Sequence, residues 1–77
     1  MKEYAKSIII PMVDFPDDIN IQETEEDDKT LILVIKVNSK DVGKLIGRKG
    51  RNITALRTLV NAVGAKNDQR VIIESII

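Results

Sequence analysis

Two glycines bracket two cations in the stretch Leu45-Ile46-Gly47-Arg48-Lys49-Gly50-Arg51-Asn52-Ile53, which lies in the second half of the chain. Glycine turns the backbone without a Cβ clash and lets the backbone of a ligand come close. Free backbone N–H groups at the start of a following helix favour an anion. Arg48, Lys49 and Arg51 add full positive charge at the same place. The pattern predicts a phosphate clamp suited to a repeating anionic backbone more than to one small phosphate.

The length and composition limit what the chain can be. Its 77 residues suffice for one domain, residues 1–77, and leave no room for a second core. Cysteine and histidine are both absent, which excludes disulfides and thiolate metal sites and removes the commonest general base. Ser7, Ser39 and Ser75 therefore have no histidine partner. We expect no enzymatic activity, metal, cofactor or small-molecule substrate.

The sequence shows no targeting or membrane-spanning pattern. Residues Met1–Lys6 are charged, and the apolar run Ile8–Ile10 is too short for a signal peptide. No run approaches the roughly 20 apolar residues of a membrane span. We therefore expect a cytoplasmic protein without a membrane partner.

Charge is distributed unevenly, although 12 basic and 12 acidic residues cancel. Every charged residue from Asp14 to Asp28 is acidic. Between residues 40 and 57, Asp41 is the only acid among six cations, which are Lys40, Lys44, Arg48, Lys49, Arg51 and Arg57. The simplest explanation is two solvated faces of opposite sign. With the glycine motif present, the pattern favours a basic patch around the loop and an acidic edge elsewhere.

The first third of the chain predicts a broken helix and a turn. Apolar pairs recur every four residues over Tyr4–Val13, which gives one helical stripe. Pro11 removes a backbone hydrogen bond and clashes with the carbonyl of Ser7, so the helix should kink or break there. A turn follows at Asp14–Asp18, and Phe15 is expected to fill the core beside it.

A hairpin is expected next. Alternating apolar and polar residues predict a half-buried strand over Ile19–Thr24. The continuous apolar run Leu31–Val37 suits a central strand that pairs with the first in antiparallel fashion. The charged segment between them, Glu25–Lys29, is expected to be a mobile turn.

Two helices flank the glycine loop. A short one is expected from about Lys40 to Ile46, with Ser39 as its N-cap. The second begins near Gly50 and ends at Gly64, interpreted as a C′ glycine. Its buried face is marked by Ile53, Leu56, Leu59, Val60 and Val63.

The last segment completes the sheet. After a polar turn at Lys66–Arg70, a strand over Val71–Ile77 can lie parallel to the central strand through a right-handed crossover. The order α-β-β-α-α-β predicts an α+β fold, with helices on one face of a three-stranded mixed sheet.

The motif and the order of elements together resemble a known family. Helix, Ile-Gly-x-x-Gly, helix is the core of the KH domain, and here it reads Leu45-Ile46-Gly47-Arg48-Lys49-Gly50-Arg51-Asn52-Ile53-Thr54-Ala55-Leu56. The order resembles the type II KH arrangement, in which a helix and a strand precede the core. Over its whole length the chain resembles the small stand-alone bacterial KH proteins of the KhpA (YlqC) family. A bare Gly-x-x-Gly occurs by chance, whereas its flanking residues and the full-length match make the resemblance specific.

The resemblance implies single-stranded RNA binding, with about four nucleotides held in a narrow groove. Residues Gly47–Gly50 would contact phosphates, the flanking isoleucines would form an apolar floor for the bases, and Ile32, Val34 or Lys36 would form the opposite wall. The RNA-binding residues that it implies are Ile46, Gly47, Arg48, Lys49, Gly50, Arg51 and Ile53.

Some roles stay open on the sequence alone. Helical periodicity makes Leu56 a core residue, whereas Ile46 and Ile53 can serve the core, the ligand or both. The remaining cations of the basic segment are ordinary solvated charges unless they reach RNA phosphates.

The resemblance also implies partners and a cellular role. Proteins of this family self-associate and pair with a KhpB/Jag-type RNA-binding protein, in a system tied to cell elongation and division. Independently, one small groove engages few bases, so linking two grooves is the physical route to higher affinity. The leading hypothesis is an RNA chaperone or post-transcriptional regulator, acting as a homodimer, with such a partner, or both.

The alternative is a protein–protein adaptor that uses the KH fold without binding RNA. An adaptor has no need of two cations between glycines. A P-loop nucleotide site is excluded, because Gly47–Gly50 lacks its spacing and its Gly-Lys-Ser/Thr ending. The RNA-binding hypothesis requires the loop to be open to solvent and free of carboxylates.

Overall fold

The computed structural model describes all 77 residues, Met1 to Ile77. One-turn 3-10 helices lie at Ile10–Met12, Pro16–Asp18 and Arg48–Gly50. The main elements are α1 (Lys2–Ile9), β1 (Asn20–Asp27), β2 (Thr30–Lys36), α2 (Val42–Ile46), α3 (Arg51–Lys66) and β3 (Arg70–Ile76). The predicted order of helices and strands is confirmed.

The sheet has three strands in the order β1-β2-β3. β1 pairs with β2 in antiparallel register, and β2 pairs with β3 in parallel register, where Leu33 lies opposite Ile73. Because β2 has a neighbour on each side, only β1 and β3 have a free edge. The predicted mixed sheet and its central strand are confirmed.

The core lies between one face of the sheet and the helices. Leu31, Leu33 and Ile35 of β2 are buried, whereas the alternate residues Ile32 and Val34 are only half-buried. Side chains of a strand alternate between faces, so the helices cover one face and leave the other open. The helices contribute Ala5, Ile9, Leu45, Ile53, Leu56 and Val60 to this core.

The proline in the first segment breaks the helix, as predicted. α1 ends at Ile9, and the chain continues as a 3-10 turn that contains Pro11. The prediction for Phe15 is wrong, because 39% of this residue is exposed and the Lys40 ammonium lies 5.7 Å from the centre of its ring. The turn is anchored through its backbone instead, since the Phe15 N–H donates to Asp41 at 3.0 Å.

The predicted charged turn at Glu25–Lys29 is wrong in extent. β1 continues to Asp27, and only residues 28 and 29 form the turn. The acidic residues are part of β1 because they pair with β2. A free sheet edge tolerates these acidic residues because their side chains reach solvent. The turn is held by the Lys29 N–H, which donates to the Asp27 carboxylate at 2.8 Å.

The start of α2 also differs from the prediction. The helix begins at Val42, and its N-cap residue is Asp41 in place of Ser39. The Asp41 side chain does not cap its own helix. It is fully buried and accepts the N–H groups of Asp14 and Phe15 at 3.1 and 3.0 Å, which ties the first turn of the chain to α2.

Gly64 does not end α3, which continues to Lys66. This glycine is buried within the helix, and a Cβ placed there would lie 2.8 Å from both the Gln69 carbonyl oxygen and Val71 Cγ2. The residue is therefore small because the chain entering β3 passes against the helix. On the predicted buried face of α3, Leu59 is 42% exposed and Val63 is half-buried. The face that is actually buried is therefore narrower than the apolar pattern predicted.

None of the helices combines the length and the apolar character needed to cross a bilayer.

Candidate nucleic-acid interface

The loop between α2 and α3 makes its turn through positive φ angles. Gly47 has φ 77° and ψ 171°, which takes the chain out of α2, and Gly50 at φ 73° and ψ 17° leads into α3. The need for glycine at both positions is therefore backbone geometry. Lys49 also has positive φ, at 57°, which costs an L-residue of order 1 kcal/mol. This strained lysine was not predicted from the sequence.

Both glycine N–H groups of the loop are hydrogen-bonded within the protein. The Gly47 N–H donates to the Gly43 carbonyl at 2.9 Å, and the Gly50 N–H donates to the Gly47 carbonyl at 3.1 Å. The other two N–H groups of the loop belong to Arg48 and Lys49. Any backbone donor that the loop offers to a ligand therefore comes from the two cationic residues, and not from the glycines.

Four cations around the loop have no carboxylate partner. The structure contains four ion pairs, and none of them involves an arginine or Lys49. Arg48, Lys49 and Arg51 are exposed, as is Arg57 one helical turn and a half further along α3. The loop is thus open to solvent and free of carboxylates, as the RNA-binding hypothesis requires.

Lys44 and Lys40 are engaged within the protein. The Lys44 ammonium forms an ion pair with Asp14 and lies 3.9 Å from Asp41 Oδ1. Its hydrogen bond to Asp14 raises the pKa of Lys44 above the usual lysine value, and the charges of both carboxylates add to this effect. Lys40 lies over the Phe15 ring. The basic patch is therefore narrower than the run of cations in the sequence.

A shallow groove of about 220 Å³ lies next to the loop. Ile46, Ile53 and Arg57 line its helical side, and Ile73, Ser75 and Ile76 of β3 line the other. Ile46 is 40% exposed, so it faces the groove more than the core. Ile53 is only 9% exposed and belongs to the core cluster as well as to the groove lining.

The opposite wall is β3, and the expectation that it would be the central strand is wrong. β2 has no free edge, and its residues Val34 and Lys36 line a separate hollow of about 240 Å³ together with Asn20, Gln22 and Ile77. Sequence reasoning therefore missed the β3 residues of the groove. The predicted topology could have identified these residues. A parallel strand that follows α3 and lies at the sheet edge is the strand closest to that helix.

Asn61 ties α3 to the start of β3. Its side-chain oxygen accepts the Val71 N–H at 3.0 Å, and its amide nitrogen donates to the Val71 carbonyl at 2.9 Å. Ile53, Arg57 and Asn61 are spaced by four residues and so share one face of α3. Ile53 and Arg57 of this face line the groove.

Comparison with known proteins identifies the family. The model of the KhpA/KhpB KH domain matches residues 2–74 of the chain. The chain belongs to the KhpA/KhpB KH-domain family. This confirms the resemblance and the KH-type α+β fold. The family is not enzymatic, and the chain is accordingly not an enzyme.

Three relatives illustrate the KhpA match. The chain is 45% identical over 76 residues to "RNA-binding protein KhpA" of Listeria monocytogenes, covering 99% of each sequence. It is 40% identical over 74 residues to KhpA of Chlamydia pneumoniae, covering 96% of this chain and 94% of that protein. For KhpA of Clostridium acetobutylicum the identity is 37% over 76 residues, with 99% and 100% covered. No solved structure matches the chain.

In this KH-type fold the predicted site residues come together in one place. Gly47–Gly50 and Arg51 form the exposed turn, and Ile46 and Ile53 extend from its two ends into the groove. Arg57, which the sequence left open as a solvated charge or a phosphate contact, also lines the groove. Nowhere do three acidic, histidine or cysteine side chains gather as a metal ion would need.

Proposed function

We propose that this protein binds single-stranded RNA, with its phosphates on the Gly47–Gly50 loop and its bases in the groove between α3 and β3. The observation that carries the proposal is a row of unpaired cations on an exposed turn at the mouth of an apolar groove. The names of the KhpA relatives support it, since each is called an RNA-binding protein.

The loop suits the sugar–phosphate backbone. Arg48 and Lys49 place two positive side chains and two backbone N–H groups on a tight turn, and charge-assisted hydrogen bonds to phosphate are stronger than neutral ones. Arg51 follows Gly50 directly in the chain and is also exposed. We assign phosphate contact to Gly47, Arg48, Lys49, Gly50 and Arg51.

The groove suits the bases. Ile46 and Ile53 provide apolar contact, so recognition here does not need the aromatic stacking that this chain, with one Tyr and one Phe, cannot supply. β3 is an edge strand, and its outward backbone groups have no strand partner. Those of Val71 are taken by Asn61, whereas those of Ile73, two residues further on, face the same side and can pair with base edges.

We further propose that the protein acts in the cytoplasm as an RNA chaperone or post-transcriptional regulator, in cell elongation or division. One groove holds about four nucleotides, so useful affinity calls for a second groove on the same RNA. We assign that second groove to another copy of this chain or to a KhpB/Jag-type partner. The support is that one family model covers both KhpA and KhpB.

Binding to a short single-stranded RNA and to a duplex of the same sequence tests the proposed function. Unstacked bases can enter a narrow groove, whereas an A-form duplex cannot present its base edges there. In fluorescence anisotropy we expect the single strand to bind at least about tenfold more tightly. Its log–log salt slope should be about −0.7 for each phosphate held. Equal affinity for the duplex, or no binding at low salt, would refute the groove assignment.

A further inference from the structure

Asn52 joins the two helices on either side of the glycine loop. It is the second residue of α3, and its amide nitrogen donates to the Lys44 carbonyl oxygen in α2 at 2.7 Å. The residue is exposed and lies outside the core cluster. Its contacts therefore serve the local geometry of the loop more than the stability of the core.

The hydrogen bond replaces one that the loop takes away. In a continued helix the Lys44 carbonyl would accept the N–H of Arg48, four residues on. α2 ends at Ile46, because Gly47 turns the chain aside, and Asn52 supplies the missing donor. The Arg48 N–H is thereby released from the helix into the loop.

Asn52 also packs directly beneath the first glycine. A Cβ placed on Gly47 would lie 2.7–2.8 Å from the Cγ, Cβ and Nδ2 atoms of Asn52. Two constraints therefore require glycine at position 47: its positive φ angle and the Asn52 side chain packed against it. The loop packs over the Asn52 side chain. One hydrogen bond, to the Lys44 carbonyl oxygen, and one close contact, with Gly47, hold the backbone of the loop in place.

We propose that Asn52 is a positioning residue that holds the Gly47–Gly50 loop in its RNA-binding shape before RNA arrives. Lys49 sits at positive φ, a conformation that a free loop would leave for more favourable ones. A loop ordered in advance loses less conformational entropy on binding. This inference rests on the proposed function, and it assigns no RNA contact to Asn52 itself.

Two variants separate the hydrogen bond from the packing. Asn52→Leu keeps a side chain of nearly the same shape against Gly47 but cannot donate, and Asn52→Ala removes both contacts. Asn67→Ala, at the exposed residue that follows the far end of α3, is the matched control. RNA affinity is measured by anisotropy over a salt series. Backbone order at Lys49 and Gly50 is measured by ¹⁵N relaxation in the free protein.

We expect both Asn52 variants to bind RNA about five- to tenfold more weakly, with the salt slope of the wild type, because every cation remains. The amides of Lys49 and Gly50 should become more mobile in the free variants and stay unchanged in the control. A loop that stays equally ordered overturns the inference, whatever happens to affinity. If the wild type binds no RNA, the proposed function fails, while the relaxation data still decide whether Asn52 orders the loop.

Discussion

The double substitution Arg48→Asp and Lys49→Asp is expected to abolish RNA binding, with affinity falling about 100-fold or more at physiological salt. The change removes two unpaired cations from the turn and places two anions where phosphates would lie. Each lost phosphate contact should also reduce the salt slope by about 0.7 for a single strand. Anisotropy titrations at several salt concentrations measure both quantities.

A charge-matched control is available on α1. Lys2→Asp with Lys6→Asp changes the net charge equally, on a helix that contributes nothing to the groove. We expect this variant to keep the wild-type salt slope. Because Arg48 and Lys49 are exposed, the loop variant should also keep its fold and any protein partner. RNA affinity that survives in the loop variant with an unaltered slope would contradict the phosphate clamp and favour the adaptor alternative.

Asp41→Ala is expected to lower the free energy of unfolding by about 3 kcal/mol, and the melting temperature by about 10–20 °C. The carboxylate is fully buried and accepts two backbone N–H groups from the turn after α1. Removing it leaves both part-buried N–H donors without their charged acceptor. Urea and thermal unfolding followed by circular dichroism measure the loss.

Asp14→Ala provides the comparison for this effect. Asp14 is the other carboxylate near Lys44, but its side chain is 66% exposed, and exposed ion pairs contribute at most about 1 kcal/mol. We expect its loss to change stability by less than about 0.5 kcal/mol. Equal destabilisation by the two substitutions would mean that the ion pair with Lys44, and not the buried hydrogen bonds, anchors the turn.

The elements that the sequence predicted correctly depend on local pattern. The break at Pro11 follows from a missing N–H, and the turn between α2 and α3 follows from glycines that accept positive φ. The run Leu31–Val37 has the length and composition of a central strand, and its position was confirmed. In each case the cause lies within a few residues of its effect.

The errors concern contacts between distant segments. Lys44 is not free to bind a ligand because it pairs with Asp14, which is 30 residues away. Gly64 must be small because the chain entering β3 packs against it. The role of Asp41 was not predicted from the sequence. This residue stood out only as the one acid in a basic segment, and its partners, the backbone N–H groups of residues 14 and 15, carry no sequence signature.

For the same reason, only one part of the candidate site was predicted from the sequence. Ile46 to Ile53 are contiguous, so the motif alone identified them. The β3 wall and Arg57 become neighbours of the loop only through the packing of α3 along the sheet edge. The bulge in β3, where Leu33 and Val34 pair with Ile73 and Ser75, also shapes this wall. A bulge of this kind is not visible in an apolar run.

Mapping the bound RNA onto the protein by NMR tests the central claim most directly. A short single-stranded RNA is titrated into ¹⁵N-labelled protein, and backbone shifts are followed residue by residue. We predict that the largest changes fall on the loop and its flanks at residues 46–53, on Arg57 and on the β3 residues Ile73–Ile76. Changes confined to the acidic β1 edge or to the open face of the sheet, with the loop unaffected, would contradict the account.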